Sequence, residues 1–196
     1  MSTLSTHTST PTSSNTLLAE HRDQRLGAII SATAGAVAQD ASRAAAQFAA
    51  SGRATGSVAT DVATRQHTFV VDEPASLGGD DSATNPVEYA LGSLIGCQVV
   101  TYRFWAARLG IRLDDVAIDV VGDLDVRGFF GLDDDVRAGF EDIRLDVRLT
   151  GPESPERYAE LHQAVDAHCP VLDLFTNPTA VTTTVHTAVA LSLIHI

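Results

Sequence analysis

Cysteine is nearly absent, with two in 196 residues. So few thiols, with no secretion signal, argue against a disulfide-stapled scaffold. Positive charge is scarce too. Lys and Arg together number 13 against 25 Asp and Glu, for a net charge of −12. No basic cluster is left to grip nucleic acid or an anionic membrane. No apolar run approaches the ~18 residues of a membrane span. The Ser/Thr-rich start, 1–16, lacks the basic and apolar regions of a signal peptide, reads as a disordered tail, and fits a cytoplasmic protein. Glycine-rich nucleotide loops, a GxSxG elbow and paired catalytic carboxylates are missing. So is any CxxC or HxxxH spacing, so neither a metal nor an organic cofactor is expected.

What remains is a globular chain, 44% hydrophobic and 19% charged, long enough for one domain with extensions. Residues 17–51 read as a helical N-terminal extension rich in alanine, weakened at Gly27 and Gly35 and so expected to break. Gly56–Thr64 and His67–Asp72 carry β-branched, alternating residues around a turn at Arg65-Gln66, the pattern of a hairpin. Leu191-Ser192-Leu193-Ile194-His195-Ile196 resembles a sequencing-adaptor translation and is set aside as a scar.

The two cysteines lie in well-marked places. Cys97 ends the run Asn85-Pro86-Val87-Glu88-Tyr89-Ala90-Leu91-Gly92-Ser93-Leu94-Ile95-Gly96-Cys97. Asn85 is an N-cap, Pro86 suits the first turn, and Glu88 stands where a capping box places its acid. This helix should run to Leu109 and stop at Gly110. Its apolar residues cover most of its circumference, which predicts burial on all sides. Val116–Val126 and Ile143–Leu149 read as strands, the second alternating Ile143, Leu145, Val147 and Leu149 with charged residues. A helix opening at Ser154-Pro155 should stop at His168-Cys169-Pro170, and a last strand is expected over Ala180–Ala188. The order ββ-α-ββ-α-β predicts an α+β fold with antiparallel sheets.

Asp72-Glu73-Pro74 with Leu77-Gly78-Gly79, the helix from Asn85 to Cys97, Gly122-Asp123-Leu124-Asp125-Val126-Arg127-Gly128, and Cys169-Pro170-Val171 together resemble the OsmC/Ohr family of thiol peroxidases. The resemblance covers an OsmC-like domain at 52–190. It is closest to the branch whose helix acid lies nine residues before the cysteine; hydroperoxide resistance enzymes place it ten before, where Val87 stands. It implies antiparallel sheets wrapped around a long central helix in an intertwined homodimer. It also implies reduction of organic hydroperoxides, with regeneration by a dithiol such as a lipoylated protein or a thioredoxin-like partner.

On that resemblance Cys97 is the attacking thiolate and Cys169 the resolving thiol, since a sulfenic acid is protected by condensing with a second cysteine. The bland alternative is that both are small buried hydrophobes. An arginine held by a glutamate is the implied activator: Arg65, with Arg53 the other choice, and Glu88. Nine residues on a helix are about 180° and ~13.5 Å, so Glu88 can serve Cys97 only from another subunit or through an arginine. It equally serves a capping box. Val100, Phe104 and Trp105 line the cysteine face as an apolar substrate pocket, or are plain core. His168 adjoins Cys169 but should diverge from it, and Arg127 belongs to a structural turn. The rival to a peroxidase is an OsmC-fold dimer that binds a small molecule or regulates without turnover.

Overall fold

The alternation in Ile143–Leu149 folds as expected. Residues 142–150 form β5 (Asp142–Thr150), paired antiparallel with β4 (Asp115–Asp123) in the register Val116↔Leu149, Ile118↔Val147 and Val120↔Leu145. One face of this ribbon is apolar. The other sets Asp119 opposite Asp146 and Asp123 opposite Asp142. Like charges facing each other destabilise a ladder. Here Arg148 lies 2.5 Å from Asp119 and 3.0 Å from Asp146, while Arg144 bridges Asp123 and Asp142.

The protein is described by a computed structural model over residues 13–187. Helix α1 (Ser13–Gln39) leads through a single 3-10 turn to β1 (Ser51–Ala54), β2 (Thr60–Thr64) and β3 (His67–Val71), a three-stranded antiparallel sheet in that order. The long helix α2 (Pro86–Leu109) follows, then β4, the short α3 (Val126–Phe130), β5, α4 (Pro155–His168) and α5 (Pro170–Thr176). The fold class is α+β with antiparallel sheets, as the pattern predicts. The core gathers Tyr102 and Ala106 of α2, Ile111 and Leu113 of the following loop, Val116 and Ile118 of β4, and Leu161 and Val165 of α4.

The ends of α2 show why this segment is a helix. Asn85 accepts from the Glu88 N–H at 2.8 Å, and Glu88 accepts from the Asn85 N–H at 3.2 Å, a closed capping box. Gly110 adopts φ 62° at the other end, a left-handed conformation that ends the helix without a Cβ penalty.

Three expectations about the elements need correction at α1, β2 and the last strand, and a fourth concerns α2. α1 runs unbroken through Gly27 and Gly35, because each glycine costs only about 1 kcal/mol within an alanine-rich helix. It starts at Ser13, inside the stretch read as a tail; residues 1–12 lie outside those described. Residues 56–59 belong to the β1–β2 connection, closed by Thr55 N–H to Ala59 O at 2.7 Å, so β2 starts only at Thr60. The last strand does not form. Residues 177–187 pair with no described strand, and Val181 and Val185 are 84% and 76% exposed, because alternation makes a strand only where a ladder partner lies alongside. Ala188 and the adaptor-like tail lie outside the described residues.

The fourth correction bears most on function. α2 is buried on one side only. Leu94, Gln98, Thr101, Tyr102 and Ala106 face the core, while Gly92 and Gly96 meet open space and Val100 is 55% exposed. Residues at i, i+4 and i+8 share one helix face, so these three form an open apolar stripe.

Candidate active site

Cys97 sits at mid-length on α2, half-buried. Cys169 joins α4 to α5 and is 1% exposed. The residue before a proline is steered from the helical region, and Cys169 accordingly takes φ −84°, ψ 112° before Pro170. That kink ends α4, turns the thiol inward and restarts the chain as α5. The two thiols are neighbours, close enough for Cys169 to raise the Cys97 pKa. Both are free. The sequence left open whether the cysteines were unrelated core residues, and the fold brings them together from two helices 72 positions apart (169 minus 97).

The Cys97 thiol is pushed above its ordinary range, first by burial, then by the hydrogen bond and charge of Cys169. Two groups oppose this, the Val171 N–H at the start of α5 and the Thr101 hydroxyl. Thr101 lies one turn beyond Cys97 and also donates to the Cys97 carbonyl at 2.8 Å. Neither group was singled out from sequence, although the i+4 spacing of Thr101 was visible. No cation among the described residues acts on the thiol.

Arg65 occupies the β2–β3 turn at φ 54°, exposed. Arg53 is exposed on β1. Glu88 is engaged in its capping box. None of the three joins Cys97 within one chain. Arg127 pairs with Asp125 at 2.6 Å and Asp133 at 3.1 Å, tying α3 to its loop. His168 turns from Cys169: its Nδ1 lies 2.7 Å from the Ala164 carbonyl and its ring 4.2 Å from the Trp105 ring. Trp105 packs against the core with Arg108 over its face at 5.2 Å, while half-buried Phe104 and exposed Val100 stay on the open side. No group of three or more His, Cys, Asp or Glu suited to a metal occurs among the described residues. No helix there is long and apolar enough to cross a membrane.

A family model described as OsmC-like protein matches residues 79–184, more than half the chain. The chain belongs to the OsmC-like family. Its fold is similar to an OsmC-like protein from Mycoplasma pneumoniae at 17% identity and TM-score 0.58, over 66% of this chain and 87% of that one. An organic hydroperoxide resistance protein OsmC from Legionella pneumophila aligns at 22% identity and TM-score 0.52, over 67% and 90%. An organic hydroperoxide resistance protein from Elizabethkingia anophelis aligns at 17% identity and TM-score 0.53, over 67% and 89%. No curated protein sequence matches. At these identities the structural likeness establishes the fold.

Proposed function

We propose that this protein is a homodimeric, thiol-dependent peroxidase that reduces organic hydroperoxides. The observation that carries the reading is the proximity of Cys97 and Cys169, two free thiols from separate parts of an OsmC-like fold. In the first step the Cys97 thiolate attacks the terminal peroxide oxygen. The O–O bond breaks, an S–O bond forms, and the alkoxide leaves as alcohol after taking a proton from solvent. In the second, Cys169 sulfur bonds to Cys97 sulfur and the sulfenic hydroxyl departs as water with the Cys169 proton. A dithiol, lipoylated or thioredoxin-like, returns the two electrons by exchange.

A thiol held high by burial is a poor nucleophile at neutral pH. The activating arginine therefore comes from a second copy. The open stripe of Gly92, Gly96 and Val100 is where α2 of that copy packs, because small residues let helix backbones approach closely. This arrangement brings Arg65 and Glu88 of one chain toward Cys97 of the other. Val100, Phe104 and Trp105 then border the substrate.

Mass spectrometry of the reduced protein after one equivalent of cumene hydroperoxide tests the proposal. The expected result is rapid loss of two hydrogens, replaced in Cys169→Ser by a sulfenic adduct on Cys97. Slow, indiscriminate oxidation of both thiols refutes turnover and favours a non-catalytic, ligand-binding dimer.

A further inference from the structure

A cavity of about 310 Å³ opens where β2 and β3 meet the start of α2 and the short α3. Volumes of this size hold small organic ligands. Val58, Val71, Val87, Val126 and Phe129 make its walls apolar, and all of these but Val71 stay exposed. Its α2 wall, Val87, lies ten residues before Cys97, ~15 Å along the helix, which sets the cavity apart from the thiol pair.

Two acidic residues, Asp72 and Glu73, stand on this lining, and they differ in kind. The Asp72 carboxylate is buried and engaged, accepting from the Ser82 N–H, the Ser82 hydroxyl and the Asp80 N–H. Those bonds keep it charged, with its pKa lowered to about 2. Its role is to tie the 72–82 loop together. Glu73 has no such role. The residue is half-buried, and its Oε2 is buried without a hydrogen-bond partner, the one such side-chain nitrogen or oxygen among the described residues. A carboxylate can only accept, and a buried charge without a partner is costly. The cavity's own elements offer it no cation: Arg127, the basic residue of α3, is already held by Asp125 and Asp133.

We propose that this cavity binds a small organic cation, a primary ammonium on an apolar body, with the ammonium seated against Glu73. An ammonium only donates, which matches an oxygen that receives nothing. One free oxygen suits a compact point charge better than a planar guanidinium fork, which asks for two. The terminal torsion of a glutamate lies in a broad well, so the carboxylate can turn toward the ligand at little cost. The valines and Phe129 then cover the body of the molecule. An anion would face Asp72 and Glu73 together, and a neutral molecule would leave Glu73 unpaired. A bare metal ion lacks ligands, since no group of three or more His, Cys, Asp or Glu suited to a metal occurs among the described residues. This binding needs no thiol and goes beyond the peroxidase reading.

The probe is benzylamine, titrated into the full chain by calorimetry and chemical-shift NMR, with benzyl alcohol and benzoate as neutral and anionic controls. Benzylamine should bind and shift resonances of Glu73, Val87 and Phe129, with both controls at least tenfold weaker. Glu73→Gln keeps the shape and removes the charge. It should weaken benzylamine at least tenfold at an unchanged or higher melting temperature. Ala138→Trp, at an exposed position of the lining, should block binding by filling the space. Cys97→Ser should bind as the wild type does, so failure of the peroxidase and failure of this site are told apart. Absence of benzylamine binding, equal binding in Glu73→Gln, or equal affinity for benzyl alcohol overturns the proposal. So does binding confined to dilute protein, which would give the cavity to a cationic side chain of a second copy.

Discussion

The ionisation of Cys97 should depend on protein assembly. Within one chain its thiol is pushed above the ordinary cysteine range, because burial and Cys169 outweigh the Val171 N–H and the Thr101 hydroxyl. A thiol with a pKa near 9 is only about 1% thiolate at pH 7, whereas one near 6 is about 90% thiolate. The gap of about three units corresponds to ~4 kcal/mol. One guanidinium at ~4 Å supplies ~4 kcal/mol at the effective dielectric of a protein surface. A single arginine from the second copy is therefore enough. The assay is the rate of iodoacetamide labelling at Cys97 against pH, at concentrations spanning dimer dissociation. Diluted protein should show a midpoint above that of a free cysteine, and assembled protein one well below it. Arg65→Met should return the assembled protein to the high value. Cys169→Ser should lower the midpoint in either state, since Cys169 is one of the groups that raises it. A midpoint that stays above that of a free cysteine in the assembled dimer would falsify thiolate activation and the peroxidase with it.

Three further outcomes follow from the fold. Asp72 accepts from the Ser82 N–H at 3.0 Å, the Ser82 hydroxyl at 2.8 Å and the Asp80 N–H at 3.2 Å, and these bonds lower its pKa to about 2. A depressed folded-state pKa gives stability that is full above the unfolded value of 3.8 and is lost as pH falls toward 2, so hydrogen exchange in 72–82 should accelerate through that window. Leu161→Ala empties a fully buried position between α4 and α2 and should cost about 2–5 kcal/mol in urea unfolding. Gly79→Ala would set a Cβ 1.8 Å from the Glu73 carbonyl, so the loop must shift, and a lowered melting temperature with Asp72 exchanging faster is the expected readout.

Where the sequence carries a local cause, the fold was legible in it. Asn85, Pro86, Glu88 and Gly110 write both ends of α2, and the structure places them as caps. Alternation along Ile143–Leu149 fixes β5 and its buried face. The Arg65-Gln66 turn was legible for the same reason. Wherever the cause is distant, the pattern misled. Residues 180–187 alternate as a strand does, yet no ladder partner lies alongside. α2 is apolar nearly all round, yet the described residues of a single chain set nothing against Gly92, Gly96 and Val100. The site divides the same way. Both cysteines were marked by their helices, but Tyr102 and His162 meet only through α2 and α4 packing. No spacing in the chain announces that contact.

These misreadings share a physical origin. Val181, Val185 and Val100 are apolar residues that stay open among the described residues, and no cation among those residues acts on the Cys97 thiol. Apolar surface is covered when a second surface removes it from water, and a buried thiolate is stabilised when a charge approaches it. One event, packing of a second copy along α2 as proposed, would answer the open stripe and the missing cation together. If assembly buries the stripe but leaves Cys97 unactivated, the two deficits have separate causes. The paired thiols would then be a structural contact, and a ligand-binding role would account better for the chain.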